Sequence, residues 1–319
     1  MDKSTTIGAK RLSFSEIEPK HQLAWDSTSL SALMRCPRYY QYTIVDGYVG
    51  RGESVHLKFG SDYNNSLVTF HQHRAMGDDY DTATLAAVRY ALCATWDEIL
   101  GRPWASDHPA KNRESLIRSV IWYLDRFRDD PMTTVILPDG SAAVEMSFRL
   151  HLDITSAVTG EDYLLCGYLD RLVDFNGSRW ITDWKTSAYQ LDQRYFRGYS
   201  PNNQMSQYDF AGTMIMPEPI SGIVIDAVQL GATFSRFQRG TAPRTPALRE
   251  EWLQDAISYI RQNEQYVLQD YWPTNSTSCT AYGGCVFQEI CATSPELRQI
   301  KLNALFGRRM WDPLVVREI

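Results

Sequence analysis

The sequence lacks a long uninterrupted run of hydrophobic residues. None of the apolar stretches in its 319 residues approaches the roughly 20 residues that a transmembrane helix needs. The N-terminal segment, MDKSTTIGAKRLSFSEIEPK, also lacks the apolar core of a secretory signal peptide. These absences argue against a membrane-spanning protein, and we expect a cytoplasmic protein without a membrane partner.

The chain also lacks an excess of positive charge. It has 32 Lys and Arg residues against 38 Asp and Glu residues, so its formal net charge is −6. This balance argues against a wholly basic surface, but a local cleft can be positive on an acidic protein, so nucleic acid stays open as a partner. Basic residues gather in three segments, at Lys111, Arg113, Arg118, Arg126 and Arg128, at Arg194 and Arg197, and at Arg236, Arg239 and Arg244.

Internal repeats, low-complexity tracts and clear linkers are absent as well, which favours a single domain over residues 1–319. The first third has the apolar spacing of helices, and the pattern changes to the alternation of strands near residue 144. We expect an α/β protein whose mixed sheet is flanked by helices. Residues 29–130 would form a helical N-terminal part, residues 131–270 the core, and residues 271–319 a C-terminal segment with a cysteine cluster.

Within the core the elements can be placed from local patterns. The stretch AAVEMSFRLHLDI alternates as a strand does, and YLLCGYLDRLVDF and RWITDWKT are separated by NGS, which predicts a hairpin with an Asn-Gly turn. A helix around 202–216, an apolar strand at SGIVIDAVQL and a long helix over 246–268 are expected to follow.

The segment ITDWKTSAY places an acid and a base two residues apart in the second hairpin strand. Because residues two apart on a strand point to one face, Asp183 and Lys185 are expected to lie side by side with Trp184 on the other face. Such a pair on a solvated face is commonplace and contributes little to stability. It becomes a candidate site only if other residues join it.

The hairpin supplies such a residue in Asp170, on the strand before the turn. Asp170, Asp183 and Lys185 would then meet at one edge of the sheet. Two close carboxylates repel each other, a hard cation such as magnesium or manganese relieves that repulsion, and a neighbouring lysine can stabilise charge on a phosphate. This grouping suits phosphodiester hydrolysis. In the alternative interpretation Asp170 caps a turn.

Three further polar residues are candidates for the same site. Glu145 lies on the strand that precedes the hairpin, where it could instead face solvent. Gln204 and Tyr208 are four residues apart, so they share one face of the helix that follows.

The six cysteines are unevenly spaced, which in a cytoplasmic chain indicates metal ligation rather than disulfides. CTAYGGCVFQEIC has the spacing C-x5-C-x5-C, and one more thiolate would complete the four ligands of a [4Fe–4S] cluster. A zinc site with four cysteine ligands is the chemical alternative. The predicted ligands are Cys36, Cys279, Cys285 and Cys291, whereas Cys93 and Cys166 are expected to be buried apolar residues.

Taken together, the motifs GYLD (Gly167 to Asp170), DWKT (Asp183 to Thr186) and QMSQY (Gln204 to Tyr208) resemble those of the PD-(D/E)XK nuclease superfamily. The likeness is to its RecB-type branch, which includes CRISPR-associated and phage-encoded iron–sulfur exonucleases. Their order and spacing carry the resemblance, and with the cysteines it covers nearly the whole chain.

The resemblance implies a restriction-endonuclease-like core and a role for each matching residue. Asp170, Asp183 and the Trp184 carbonyl would bind magnesium or manganese, and Lys185 would be the catalytic lysine. Glu145 falls where the branch often has a glutamate, and Gln204 and Tyr208 would help to position DNA or the active site. The family also places one cysteine before residues like PRYY and three after the core, which favours iron over zinc, although its last three are often closer together than here.

One position departs from the family pattern. Where the branch usually has a metal-binding His after Gly-x-x-x, the sequence FGSDYNNSL has Asn64, a neutral and poorer ligand for manganese. His71 and His73 are two residues apart on one predicted helix, so they cannot share a face and are not expected to replace it.

The resemblance implies a metal-dependent DNA exonuclease that acts on single strands or strand ends. Its iron–sulfur cluster would be structural, joining Cys36 to the C-terminal cysteines. A nonspecific endonuclease with the same chemistry is one alternative. A nuclease-fold DNA-binding or assembly protein with a weakened metal site, which Asn64 favours, is the other. Protein partners are not indicated.

Overall fold

The computed structural model describes residues 11–315, apart from the side chain of Tyr282. The chain forms two compact units, each assembled from separated stretches. The unit that we call the sheet unit comprises Glu53–Ser147 and Tyr168–Arg249, and the cysteine unit comprises Met1–Gly52, Phe148–Gly167 and Glu250–Glu318. The single domain with its three predicted parts stays a prediction.

The described residues form eleven strands. The short ones are β1 (Ala24–Trp25), β2 (Tyr48–Gly50), β3 (Trp96–Asp97), β4 (Arg102–Pro103) and β5 (Thr133–Thr134). The long ones are β6 (Val144–Thr155), β7 (Asp162–Phe175), β8 (Ser178–Ser187), β9 (Ile220–Leu230) and β10 (Ser235–Ala242), and a short β11 (Phe306–Arg308) follows.

Ten α-helices accompany the strands in the described part of the chain. The first five are α1 (Ser27–Arg35), α2 (Pro37–Tyr40), α3 (Val55–Ala75), α4 (Tyr80–Ala94) and α5 (Arg113–Arg126). The others are α6 (Gln193–Arg197), α7 (Asn203–Ile215), α8 (Pro246–Leu268), α9 (Gln288–Ala292) and α10 (Pro295–Leu305). A π-helical turn (Gln41–Val45) continues α2, and 3-10 turns lie at Ser276–Ser278 and Ala281–Gly283.

The sheet of the sheet unit is mixed. Strand β8 lies between β7, with which it is antiparallel, and β9, with which it is parallel, and β10 pairs with the outer side of β9. Strands β5 and β6 also pair with β7. A parallel β8–β9 pair requires a crossover connection, and α6 and α7 supply it.

Helices cover both faces of this sheet. On one face α7 packs on β8 and β9, and the approach is close because Gly212 has no side chain: a Cβ there would lie 2.5 Å from Ile181 Cδ1. On the other face α3 packs on β8, and α5 packs on β9 and β10. The predicted α/β fold, a mixed sheet flanked by helices, is therefore confirmed.

Several local predictions are confirmed too. The hairpin between β7 and β8 turns at Asn176 and Gly177, whose φ angles are 52° and 74°, and the two-residue Asn-Gly turn needs such positive values. The long helix occupies Pro246–Leu268, as its apolar spacing predicts. No helix in the part of the chain that the structure describes has the length and apolarity to cross a membrane.

The cysteine unit is built around a small aromatic core. Tyr42, Tyr48, Phe287, Ile290 and Leu302 are buried together. Strand β2 pairs with β11, and β1 pairs in parallel with Leu164 and Leu165 of β7. These contacts join the N-terminal stretch to the C-terminal one, which contains the three closely spaced cysteines.

Candidate active site

Strand β8 carries an ion pair in the interior of the sheet unit. The Asp183 side chain is fully buried, and Lys185 Nζ lies 2.8 Å from its Oδ1 and 2.7 Å from its Oδ2. The two residues face the same side because they are two apart on a strand. An ion pair so buried is not the solvated surface pair that the bare pattern also allowed.

Asp170 lies beside this pair where two strands separate. The regular pairing of β7 with β8 ends at Arg171 and Thr182, so Asp170 and Asp183 are the next residues beyond the ladder. There the backbone N–H of Trp184 donates to Asp170 Oδ2 at 3.2 Å. The site therefore lies on two interior strands, whereas the sequence placed it at one edge of the sheet.

Helix α7 completes a ring of hydrogen bonds around the centre. Lys185 Nζ donates to Gln204 Oε1 at 3.0 Å, and Gln204 Nε2 donates to the Tyr208 hydroxyl at 2.9 Å. The Tyr208 hydroxyl in turn lies 3.5 Å from Asp170 Oδ1. Because Gln204 and Tyr208 are one helical turn apart, a single helix face fixes both the ammonium and a carboxylate.

Burial and mutual repulsion control the charges of this centre. Burial, the Asp183 charge and the Glu145 charge raise the pKa of Asp170 well above its usual range, against the opposing effect of Lys185. Burial also raises the pKa of Asp183. Burial alone would lower the pKa of Lys185, but the two aspartates outweigh it and raise that pKa. Lys185 is thus an ammonium and not a free base in this arrangement.

Glu145 and Asn64 meet at the margin of the same centre. Asn64 Nδ2, on α3, donates to Glu145 Oε1 at 3.0 Å, and Glu145 lies close enough to Asp170 to raise its pKa. Glu145 has a φ of 46°, in the left-handed region that non-glycine residues seldom adopt. Such local strain is often found at functional sites.

The oxygen atoms of the centre are suitable ligands for a hard divalent cation. Asn64 Oδ1 and Asp183 Oδ2 are buried without a hydrogen-bond donor of good geometry among the described residues. Two carboxylates with raised pKa values also favour a nearby cation. Between residues 11 and 315, no set of three or more His, Cys, Asp or Glu side chains is positioned to hold a metal ion. A cation here would therefore depend on neutral oxygens besides Asp170 and Asp183.

Trp184 faces the opposite side of β8. Its indole stacks on the His71 ring, with centroids 5.8 Å apart, and its Nε1 donates to the Tyr123 hydroxyl at 3.1 Å. His73 instead contacts Asp78. His71 therefore lies on the face of the sheet opposite Asp183 and Lys185.

Sequence reasoning did not single out two tyrosines near the centre, nor a buried lysine on the opposite face of the sheet. Tyr195 of α6 is close enough to Lys185 to raise its pKa, and the Tyr199 hydroxyl donates to the Tyr195 hydroxyl at 3.0 Å. Lys111 is buried and donates to Thr186 at 3.3 Å. The aromatic segment RYFRGY was a usable signal for the tyrosines, whereas Lys111 appeared only as one of many basic residues.

The four predicted cluster cysteines lie in the cysteine unit. The Asn275 N–H donates to Cys36 Sγ at 3.3 Å, and the Cys285 N–H donates to the Cys279 carbonyl at 2.8 Å. Burial raises the pKa of Cys291, and Cys285 and Cys36 are near enough to raise it further. These thiols are neighbours, but in the described chain no three of them are arranged as metal ligands.

One prediction about the remaining cysteines is wrong. Cys166 is buried, but Cys93 is exposed. Helix α4 buries a stripe of small residues at Ala83, Ala87 and Ala91. Cys93 lies two residues beyond Ala91, so its side chain points away from that stripe.

Comparison with known proteins shows the family to which the chain belongs. The family model described as PD-(D/E)XK nuclease superfamily matches residues 25–292. No curated protein matches the sequence. Among solved structures, the chain is similar to a candidate exonuclease from Eubacterium rectale, with 12% identity, a TM-score of 0.42, and coverage of 80% of this chain and 82% of that one. It is also similar to the protein SSO0001, with 10% identity, a TM-score of 0.28, and coverage of 75% and 95%.

We predict that Asp170→Asn stabilises the metal-free protein at neutral pH. A carboxyl whose pKa is raised on folding keeps a proton that the unfolded chain has lost, so it lowers stability as pH rises above the ordinary carboxyl pKa of about 4. The neutral variant should gain roughly 0.5–2 kcal/mol in unfolding free energy. Urea denaturation with chelator at about pH 5 and about pH 8 measures it, and the gain should be larger at the higher pH.

Asp174→Asn is the matched control, because Asp174 is on the same strand and its side chain is 44% exposed. It should change the unfolding free energy by less than about 0.5 kcal/mol at either pH. Equal stability of wild type and Asp170→Asn at both pH values would contradict the charge repulsion described above.

Proposed function

Because the chain belongs to the PD-(D/E)XK nuclease superfamily, we propose that it is a metal-dependent deoxyribonuclease, specifically an exonuclease that acts on single-stranded DNA or on strand ends. One observation carries this proposal: the Lys185 ammonium is held between Asp183 and Gln204 beside a second buried carboxylate, Asp170. A stability role alone does not explain two buried carboxylates with raised pKa values, since burying charge is costly.

In the proposed centre, Asp170, Asp183, the Trp184 carbonyl and Asn64 would hold magnesium or manganese. When bound, the metal would polarise the scissile phosphate and lower the pKa of a water molecule. Lys185 places a positive charge where negative charge develops on the phosphate, and a preorganised charge of this kind lowers the barrier without reorganisation. Its raised pKa keeps it protonated for this role.

The surrounding residues would act on Lys185 and Asp170 rather than on the phosphate. Gln204 accepts from the ammonium and donates to Tyr208, so it sets the direction of the Lys185 side chain. Tyr208 is close to Asp170 and limits its rotation. Glu145 adds negative charge beside Asp170, which favours binding of a cation.

We predict that Lys185→Ala slows metal-dependent cleavage of DNA by about a hundredfold or more, the usual cost of removing one preorganised electrostatic group. The assay uses end-labelled single- and double-stranded DNA with and without manganese. Lys58→Ala is the control, because Lys58 pairs with Asp62 of its own helix and not with the centre. A Lys185→Ala protein that is folded and cuts at the wild-type rate would contradict the proposed centre.

The same assay separates the finer alternatives. Release of mononucleotides from labelled ends supports an exonuclease, whereas internal fragments support the endonuclease alternative. RNA of the same sequence tests the preference for DNA.

Asn64 supports one second candidate function, a catalytically weakened nuclease-fold protein that serves as a DNA-binding or assembly protein. We predict that Asn64→His lowers the manganese concentration for half-maximal cleavage and changes the magnesium requirement much less, because imidazole suits manganese better than magnesium. Asn64→Ala should weaken both metals, since it removes the buried Oδ1. Metal titrations of the cleavage rate measure these shifts.

Neighbouring Asn65→His is the matched control, because Asn65 contacts Tyr90 and not Glu145. An inert wild type that gains cleavage as Asn64→His would favour the binding protein. Identical metal titrations for wild type, Asn64→His and Asn64→Ala would remove Asn64 from the site.

We also propose that Cys36, Cys279, Cys285 and Cys291 bind a structural [4Fe–4S] cluster. The neighbouring positions of these thiols in one unit support it. Four cysteine thiolates are the usual ligands of this cluster, and metal binding between distant segments stabilises a fold.

We predict that protein purified without oxygen is brown and that Ala at any of the four positions removes the visible absorbance and lowers solubility. Cys93→Ala and Cys166→Ala should keep the colour, because neither belongs to the proposed set. Absorption spectra and iron and zinc analysis provide the measurement. One zinc per chain without iron would contradict the cluster.

A further inference from the structure

The sheet unit contains a cavity of about 240 Å³ that the proposed chemistry does not use. Arg171 and His71 line it. Arg171 is paired across the strands with Thr182, which shares a sheet face with Trp184, so the cavity lies on the face opposite Asp183 and Lys185. A molecule bound in this cavity would therefore be separate from the catalytic centre.

Arg171 brings to this cavity a buried guanidinium without a direct ion pair among the described residues, although the Asp130 and Asp226 carboxylates act on its charge from further away. It is 97% buried, since its relative exposure is 3%, and its described hydrogen bonds go to neutral acceptors. Nε donates to Thr134 Oγ1 at 2.9 Å, and Nη2 donates to the Met132 carbonyl at 2.8 Å. The described contacts leave Nη1 without an acceptor. A buried guanidinium is costly unless an anion pairs with it.

His71 supplies a second donor without an acceptor. Its Nδ1 lies 2.9 Å from Thr134 Oγ1, and because Arg171 can only donate to that oxygen, the single Thr134 proton is left for Nδ1. Because Nδ1 accepts that proton, the ring hydrogen of His71 is on Nε2. Nε2 is buried and has no partner among the described residues.

The remaining walls combine positive charge with flat rings. Arg74 and Arg128 line the cavity together with Tyr80 and Phe127, and the Arg128 guanidinium lies 4.4 Å from the Tyr80 ring centroid. The one acidic residue of the described lining, Asp130, is already neutralised: both of its oxygens accept from Arg239 at 2.7 Å. Arg128 also pairs with Asp81 at 3.2 Å, so the described lining has a small excess of positive charge beside its aromatic rings.

We propose that this cavity binds a small phosphate monoester with one flat ring system, of the size of a nucleoside monophosphate. Arg171 and His71 would bind the phosphate, and Tyr80 and Phe127 would contact the ring. A volume of about 240 Å³ is below the ~300–1,000 Å³ of typical ligand pockets, which favours a single nucleotide over a strand.

Bound ligand would contact the residues that hold Trp184. His71 stacks on its indole, Tyr123 accepts from its Nε1, and both line the cavity. Trp184 lies between Asp183 and Lys185 on the strand. A nucleotide that shifts Trp184 would therefore also shift these two side chains, and it would inhibit cleavage. This feedback by the product rests on the proposed exonuclease function, whereas binding itself does not.

The test measures binding of deoxyadenosine monophosphate by calorimetry with chelator present, with inorganic phosphate and deoxyadenosine as separate probes. Wild type and Lys185→Ala should bind the nucleotide equally. Arg171→Met should weaken binding tenfold or more, and so should Arg128→Ala, whose side chain is half-exposed and whose loss leaves the fold intact. Arg89→Ala removes an exposed arginine outside the cavity and should bind as wild type does.

Each outcome decides one claim. The proposed cavity site would be overturned if the nucleotide did not bind or if deoxyadenosine bound with equal affinity. It would also be overturned if binding were lost in Lys185→Ala but kept in Arg171→Met and Arg128→Ala. Binding that depends on Arg128 in a chain without nuclease activity would support the cavity and contradict the proposed function. In an active chain, the nucleotide should inhibit wild type and leave Arg128→Ala uninhibited at the same concentration, and equal inhibition of both would overturn the feedback.

Discussion

The burial of Asp170 and Asp183 beside the Lys185 ammonium constrains the rest of the sheet unit. Asp183 and Asp170 lie where β7 and β8 separate, and each loses hydration that the protein must replace. Lys185 replaces part of it, and the ring through Gln204 and Tyr208 fixes Lys185 in turn. Helix α7 must therefore lie directly on β8, and the absence of a side chain at Gly212 allows that approach.

One face of β8 makes mainly polar contacts, and the other face makes mainly apolar contacts. Alternation sends Asp183 and Lys185 to α7 and Trp184 to α3 and α5. The same three residues thus join the reactive side of the sheet to the helical core behind it. A change in the packing of Trp184 would move the backbone that positions both charges, and on that ground a ligand in the proposed cavity would affect the centre.

The period of a strand and the Asn-Gly turn determined much of this from the sequence. Both are local rules, so the hairpin and the side-by-side placement of Asp183 and Lys185 were predictable. The helix at Pro246–Leu268 was predictable from another local rule, the apolar spacing of a helix. The interior position of the strands was not, because strand order depends on contacts between distant segments. The same limit hid the buried position of Lys111 and led to the wrong expectation that Cys93 is buried.

Each of the two units is built from separated stretches of the chain. This arrangement affects which unit can fold first while the chain is being synthesised. Every stretch of the sheet unit described above precedes residue 250, whereas the cysteine unit needs the stretch that begins at Glu250. Domains fold on the ribosome as their sequence emerges. The sheet unit can therefore form first. The N-terminal stretch can pack into the cysteine unit only after the last part of the chain has been translated.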